Sequence, residues 1–199
     1  MGLILNGNAP NKILYNGAEV SLYFNGSKIW PNAAPVIDEV TIGTQIWMAK
    51  NLAIDDGQGG IYTQTVNYGQ GTVVEYYYTW EAAVRIAATI SGWHLPTAIE
   101  WNTLAAVVGG TSIAGTKLKS TYGWSSGNGD GSYGFAAFPA GRWYSGSFRY
   151  LSSIAMFWTA TEYSSSAAYG RYFETGASIY SNDASKTSFA FSVRLIKDS

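Results

Sequence analysis

The chain has 199 residues, 47% of them apolar and 13% charged, with a net charge of −1 and no cysteine. That length suits one domain plus an appendage, with a core that needs no staples, and the apolar content argues against disorder. The charge balance marks no nucleic-acid surface. The missing cysteine excludes disulfides, thiolate metal sites and a cysteine nucleophile, and no run approaches the roughly 18 apolar residues that a membrane span needs.

The opening "MGLILNGNAPNK" lacks a basic region ahead of a long apolar stretch and does not read as a signal peptide. The protein is expected either as a mature form or to reach the outside by another route, such as virion assembly and lysis. Asn-Gly then recurs at Asn6-Gly7, Asn16-Gly17 and Asn25-Gly26. Both residues tolerate positive φ, so Asn-Gly between apolar runs signals a hairpin. Residues 3–30 are read as a small β-meander within an N-terminal segment, 1–33. It is too small to be stable alone and is assigned to attachment or oligomerisation. "PNAAP" at 31–35 reads as a linker.

A second unit spans 36–199. "EVTIGTQIWMAKNL" predicts a hairpin with Gly43 in the turn, and Asp55 to Gly60 a loop. "VVEYYYTW" leads into a helix capped by Thr79, with Ala83, Ile86, Ala87 and Ile90 on one face and Gly92 at its end. Thr97 and Glu100 form a capping box for a second helix. Ile99, Leu104 and Val108 are placed on its inner face, and Gly109-Gly110 closes it. From Lys117 onward only strands and glycine-rich loops are expected. The last strand, "FAFSVRLIKD", alternates Phe189, Phe191, Val193 and Leu195. Two helices followed by many strands predict an α+β fold.

Catalytic patterns are sparse. His94 is the single histidine and reads as structural, because a base needs partners. No Gly-x-Ser-x-Gly elbow is present, and a catalytic zinc site needs several His or Cys ligands. "SGNGDGSYGF" at 126–135 lacks the closing Glu of an EF-hand and reads as a tight turn. Asn182-Asp183 is a weak echo of a calcium pair. Glu162 and Glu174 are considered as paired glycosidase carboxylates, with a structural role favoured for Glu162. No enzyme, metal or cofactor is predicted. Trp80, Trp93, Trp101 and Trp158 are assigned to the core. Trp143, after "PAG" and before a Tyr/Ser run, is assigned as an exposed anchor.

The segments "VTIGTQIWMAKNL", "YTWEAA", "GWHLPTAIEW", "AGTKLKS", "GFAAFPAG", "FWTATE" and "FSVRLIKD" resemble, in order, the Fibrobacter succinogenes major paralogous domain over residues 36–199. The family often ends in "SVRC", whereas Leu195 follows Arg194 here. The family is similar to C-type lectin-like domains, which implies two helices, a mostly antiparallel sheet and long loops on one face. That group includes the variable proteins of diversity-generating retroelements. Its sulfatase-modifying members depend on cysteine, so their activity is not carried over. In the variable proteins, Asn codons near the C-terminus are converted to Tyr, Ser, Asn, Asp, Gly, Ala or Arg between retained frame positions.

The resemblance implies a frame of "PAG", Gly146, Phe148, "FWTATE", Ala168-Tyr169, Arg171, Phe173 and "FSVR". The ligand-binding positions it implies are Trp143, Tyr144, Ser145, Ser147, Arg149, Tyr150, Leu151 and Ser152. They continue with Tyr163, Ser164, Ser165, Ser166, Gly170, Tyr172, Tyr180 and Asn182. Tyr supplies contact area and Ser, Gly and Asn adaptable hydrogen bonds, as in antibody loops. The implied function is a diversified receptor-binding protein at a phage tail-fibre tip, located on the virion. It would be a homotrimer that recognises a bacterial cell-surface protein or glycan. The alternative is a secreted or surface-bound bacterial carbohydrate-binding or adhesin domain without diversification.

Overall fold

The computed structural model describes residues 37–198 and, ahead of them, the backbone of four short strands. The chain divides into two compact units, Met1–Pro35 and Val36–Ser199. In the first, β1 (Leu14–Tyr15) pairs antiparallel with β2 (Ala18–Glu19), and β3 (Leu22–Phe24) with β4 (Ser27–Trp30). The expected meander is therefore two separate two-stranded hairpins. Asn16-Gly17 and Asn25-Gly26 stand between the paired strands in sequence. Asn6-Gly7 and the linker 31–35 lie outside the described residues.

The second unit opens with the hairpin β5 (Glu39–Ile42) and β6 (Gln45–Met48), then β7 (Ile61–Asn67) and β8 (Thr72–Tyr78). Helix α1 (Trp80–Ala87), strand β9 (Trp93–His94) and helices α2 (Ala98–Val107) and α3 (Ala114–Leu118) follow. The remainder is β10 (Arg142–Tyr144), β11 (Ser147–Arg149), β12 (Ala155–Glu162), β13 (Ala167–Phe173), β14 (Ile179–Ser185), β15 (Phe189–Ala190) and β16 (Ile196–Lys197). The second unit is thus a mixed α and β domain with three short helices and several antiparallel sheets. Strand orders are β5-β6-β16-β9, β12-β13-β14 and β11-β10-β15, with β7-β8 as a separate hairpin.

Helix α1 has the predicted cap, the Thr79 hydroxyl accepting from the Ala82 N–H, and Ala83, Ile86, Ala87 and Ile90 are buried. It ends before Gly92, because the amides of Thr89 and Ile90 turn to carbonyls three residues back. The Thr97–Glu100 capping box is present in α2. Its inner stripe is Trp101, Leu104, Ala105 and Val108, spaced i, i+3, i+4, i+7. Ile99 falls off that stripe and is 75% exposed, correcting its expected place. Helix α3 was not expected; five residues are too few to print a periodic pattern.

Two large apolar clusters form most of the core, beside a small one of Tyr77, Ala140 and Ala190. One lies under α1 and includes Tyr78, Ile86, Met156, Trp158 and Phe191; the other lies under α2 with Trp47, Trp101, Phe135, Phe157 and Phe173. Strand β12 runs between them. Successive side chains point to opposite faces, so Met156 and Trp158 enter one cluster while Ala155 and Phe157 enter the other. Both faces are covered, which is why "AMFW" is continuously apolar. The C-terminal "FAFSVRLI" is likewise not one strand with a wet face. It passes from β10 to β6 and β9 by way of single bridges at Phe191 and Ser192, and Ala190 to Ile196 are all buried.

Candidate functional site

The β10–β11 hairpin pairs Arg142 with Arg149, Trp143 with Phe148 and Tyr144 with Ser147. Cross-strand partners share a face. Arg142, Tyr144, Ser147 and Arg149 therefore lie on one face, with Trp143 and Phe148 on the other. Trp143 is not the exposed anchor expected. It is half-buried and stacks on Tyr62, ring centroids 3.7 Å apart and 8° from parallel, while Phe148 packs on Tyr77 at 5.1 Å. The other face is aromatic and cationic. The Tyr144 ring lies 4.5 Å from Phe189, with the Arg149 guanidinium 5.2 Å from its centroid.

The turn Ser145-Gly146 has positive φ at both residues, and Tyr150 and Ser152 also have positive φ. Among the described residues, three of the four non-glycine residues with positive φ thus belong to the expected binding loops. Gly141 makes their arrangement possible, since a Cβ there would lie 2.2 Å from the Arg149 carbonyl oxygen. Only glycine lets the start of β10 approach the returning loop this closely.

Behind this hairpin, Met156, Tyr172 and Tyr180 align across β12, β13 and β14, and Asn182 sits opposite Gly170. The Tyr172 and Tyr180 rings stack at 5.2 Å. Between the hairpin and the sheet is an open cleft of about 300 Å³, lined by Arg142, Tyr150, Ile154, Met156, Tyr172, Glu174 and Asn182. It unites Tyr150, Tyr172 and Asn182, predicted from separate segments. Arg142 and Glu174 were missed. Arg142 directly follows "PAG" and gave no compositional signal, and Glu174 was weighed only as a catalytic acid. Burial, and then the Glu174 carboxylate, raise the Tyr172 phenol above its ordinary 10.0, keeping it a neutral hydroxyl.

Glu174 is positioned by a buried cation. The Lys119 ammonium donates to the carbonyls of Glu174, Thr175 and Gly176 at 3.1, 3.1 and 2.8 Å and sits over the Trp124 ring.

The remaining predicted residues fall elsewhere. Ser145, Ser147, Arg149, Leu151 and Tyr180 are exposed, and Ser152 is half-buried. Tyr163, Ser164, Ser165 and Ser166 are exposed in the β12–β13 turn. From Ser166 to Tyr172 is six residues, about 20 Å of strand, so that turn does not reach the cleft. It is pinned by Lys186, which bonds Glu162 at 2.6 Å and the Ser165 carbonyl at 3.1 Å. Gly170 corrects another expectation. It is buried, and a Cβ would meet the Phe191 ring at 3.1 Å, so it belongs to the frame. Arg171, assigned to the frame, is buried and donates to the Ala98 carbonyl and the Asn102 side chain.

Two further clefts have their charged groups already paired. The larger, about 340 Å³, lies beside β7–β8. There Tyr68 and Asn51 bond Glu75 at 3.1 and 2.9 Å, and Arg194 bonds Asn51 at 2.8 Å. In the other, His94 lies 2.8 Å from Glu100 and 2.6 Å from Asp198. Among the described residues no three His, Asp or Glu side chains gather as a metal site requires.

Fold and site define the class: a mixed α and β domain whose antiparallel sheets carry a loop-built cleft of Arg, Tyr and Asn. The chain belongs to the Fibrobacter succinogenes major domain family, whose model matches residues 40–197. No curated protein and no solved structure is significantly similar to it.

Proposed function

We propose that the chain is a non-enzymatic ligand-binding protein on a C-type lectin-like framework. Its face within residues 142–187 is diversified between copies of the gene and recognises a protein or glycan on a bacterial surface. A phage tail-fibre tip is the setting that fits, with the first unit serving attachment and trimerisation. The supporting observation is the division of labour in the β10–β11 hairpin. Tyr144, Ser147 and Arg149 share one face, while Phe148 on the other packs on Tyr77. Substitution on the first face is expected to leave the packing of Phe148 on Tyr77 in place.

Deep sequencing of codons 140–190 across a natural population tests this. Substitutions are expected at Tyr144, Ser145, Ser147, Arg149 to Ser152, Tyr163 to Ser166, Tyr172 and Tyr180 to Asp183. "FWTATE", Gly170 and "FSVR" should stay constant. A uniform sequence sinks the diversification. The second reading, a fixed-ligand bacterial surface adhesin, is favoured by one feature: the cleft is lined by Arg142 and Glu174, outside the varied set. Under that reading the protein is extracellular or cell-surface bound.

A further inference from the structure

We propose that the Arg142 cleft is a seat for the carboxylate of an acidic sugar. This rests on the reading of this face as a binding surface and adds the chemistry of the ligand. Each buried cation of the second unit reaches an oxygen among the described residues, Arg171 through the Ala98 carbonyl and the Asn102 side chain although its Nε has no partner. Lys119 has three carbonyls, Lys186 has Glu162, and Arg194 has four oxygens, from Met48, Asn51, Phe135 and Ala136. Half-buried Arg142 reaches no oxygen among the described residues. Its Nε is buried without a hydrogen-bond partner among the described residues, and its one polar contact there is the Met156 sulfur at 4.0 Å. Arg149 stands directly opposite it. Like charges so placed repel, and neither arginine reaches a carboxylate among the described residues.

The rings hold the guanidinium in place. Its carbon lies 4.9 Å from the Tyr150 centroid and 5.0 Å from that of Phe189. The planar fork of N–H groups matches a carboxylate, which accepts two parallel bonds. The guanidinium meets no oxygen acceptor among the described residues, and a ligand anion entering the cleft supplies one. The volume, about 300 Å³, suits one small molecule rather than a protein loop. Tyr150 and Tyr172 offer apolar faces to a sugar ring, and Asn182 and Glu174 offer hydrogen bonds to its hydroxyls. Glu174 also opposes a second negative charge, which selects a monoanion.

The full chain is titrated with sodium glucuronate, glucose, sodium acetate and hexaglutamate, followed by ligand-observed NMR and calorimetry. Glucuronate is expected to bind at least about tenfold more tightly than glucose or acetate, because it alone joins ring to charge. Raising salt from about 50 to about 500 mM should weaken it severalfold. Arg142→Gln should cost about tenfold or more, and Arg142→Lys should recover only part, lacking the fork. Ile99→Ser, on the exposed side of α2, should bind as the parent does. Should Arg142→Gln not fold, Arg149→Gln takes its place, expected to weaken glucuronate and flatten the salt dependence. Equal binding of glucuronate and glucose, or full binding by the arginine variant, overturns the seat. So does tighter binding of hexaglutamate, which would move the anion to a protein partner, or equal binding of acetate, which would leave a bare ion site. Absence of binding by every probe overturns it too. Glucuronate binding without attachment to any bacterial cell sinks the cell-surface reading and leaves the seat intact; attachment without glucuronate binding does the reverse.

Discussion

At the scale of single residues, frame and face are separable by what each ring touches. Trp158 is fully buried, stacks 4.1 Å from Phe191, and its indole N–H donates to the Tyr78 carbonyl at 2.7 Å. Trp158→Ala opens a cavity and leaves that carbonyl only the Phe191 amide as donor, so a loss of about 3–5 kcal/mol in chemical denaturation is expected. Tyr163 is 58% exposed and meets Tyr169 edge to face at 5.4 Å. Tyr163→Ala should shift stability by less than about 0.5 kcal/mol in the same measurement; unfolding would remove it from the face. The sequence made "FWTATE" legible as frame because its apolar run fits a strand covered on both sides. Trp143 was not legible. Its place follows from strand parity and from Tyr62, some eighty residues earlier, and no local pattern encodes that stacking partner. Gly170 was missed for a related reason, since glycine is both a codon outcome of diversification and the residue a crowded sheet demands.

At the scale of elements, α2 is held at its start by more than its capping box. Glu100 accepts from Thr97 through one oxygen and meets His94 through the other, and His94 meets Asp198 beyond β16. Burial lowers the His94 pKa, but the hydrogen bonds and charges of Asp198 and Glu100 outweigh it and hold the imidazole above its ordinary 6.5. The folded state therefore keeps a proton that the unfolded chain gives up. The stabilisation is fully present below 6.5 and is lost as pH rises through the higher folded value. The melting temperature of the parent should exceed that of His94→Gln most at low pH, and the gap should close as pH climbs past 6.5. A gap that widens with pH would show that the imidazole is held neutral. The capping box was legible because its two residues lie three apart; the tie to Asp198 was not, because it spans the whole domain.

The glycine-rich 126–135 segment was read as a tight turn, and its Asp130 does bond the following Ser132 amide. What the sequence did not disclose is its use in supporting the cleft. A Cβ on Gly127 would lie 1.9 Å from the Thr175 carbonyl oxygen, so the segment lies against the 174–176 turn. Lys119 then binds that turn from beneath. Lys119→Met should leave three carbonyls unpaired, at an expected cost of about 1–3 kcal/mol. Amide exchange should quicken at 174–178, and any ligand contact made by Glu174 should weaken. Unchanged exchange there would mean that the turn is held by Gly127 packing alone.

At the scale of the whole molecule, both large apolar clusters lie within the second unit. They meet across β12, whose two faces serve one cluster each, and they are closed by the C-terminal segment that carries Arg194. That arginine, with four oxygens around it, ties the ends of the β5–β6 hairpin to the loop at Phe135 and Ala136. Among the described residues, every member of the two clusters lies in 37–198. A fragment comprising 36–199 is expected to fold alone, unfolding in one cooperative step with near-UV dichroism from its packed Trp and Tyr rings. Removing the last ten residues from that fragment should abolish the cooperative step, because Val193, Leu195 and Ile196 fill both clusters at once. A fragment 36–199 that stays molten while the full chain folds would show that the domain depends on the N-terminal unit. The two hairpins would then be structural parts of the binding domain instead of an attachment device.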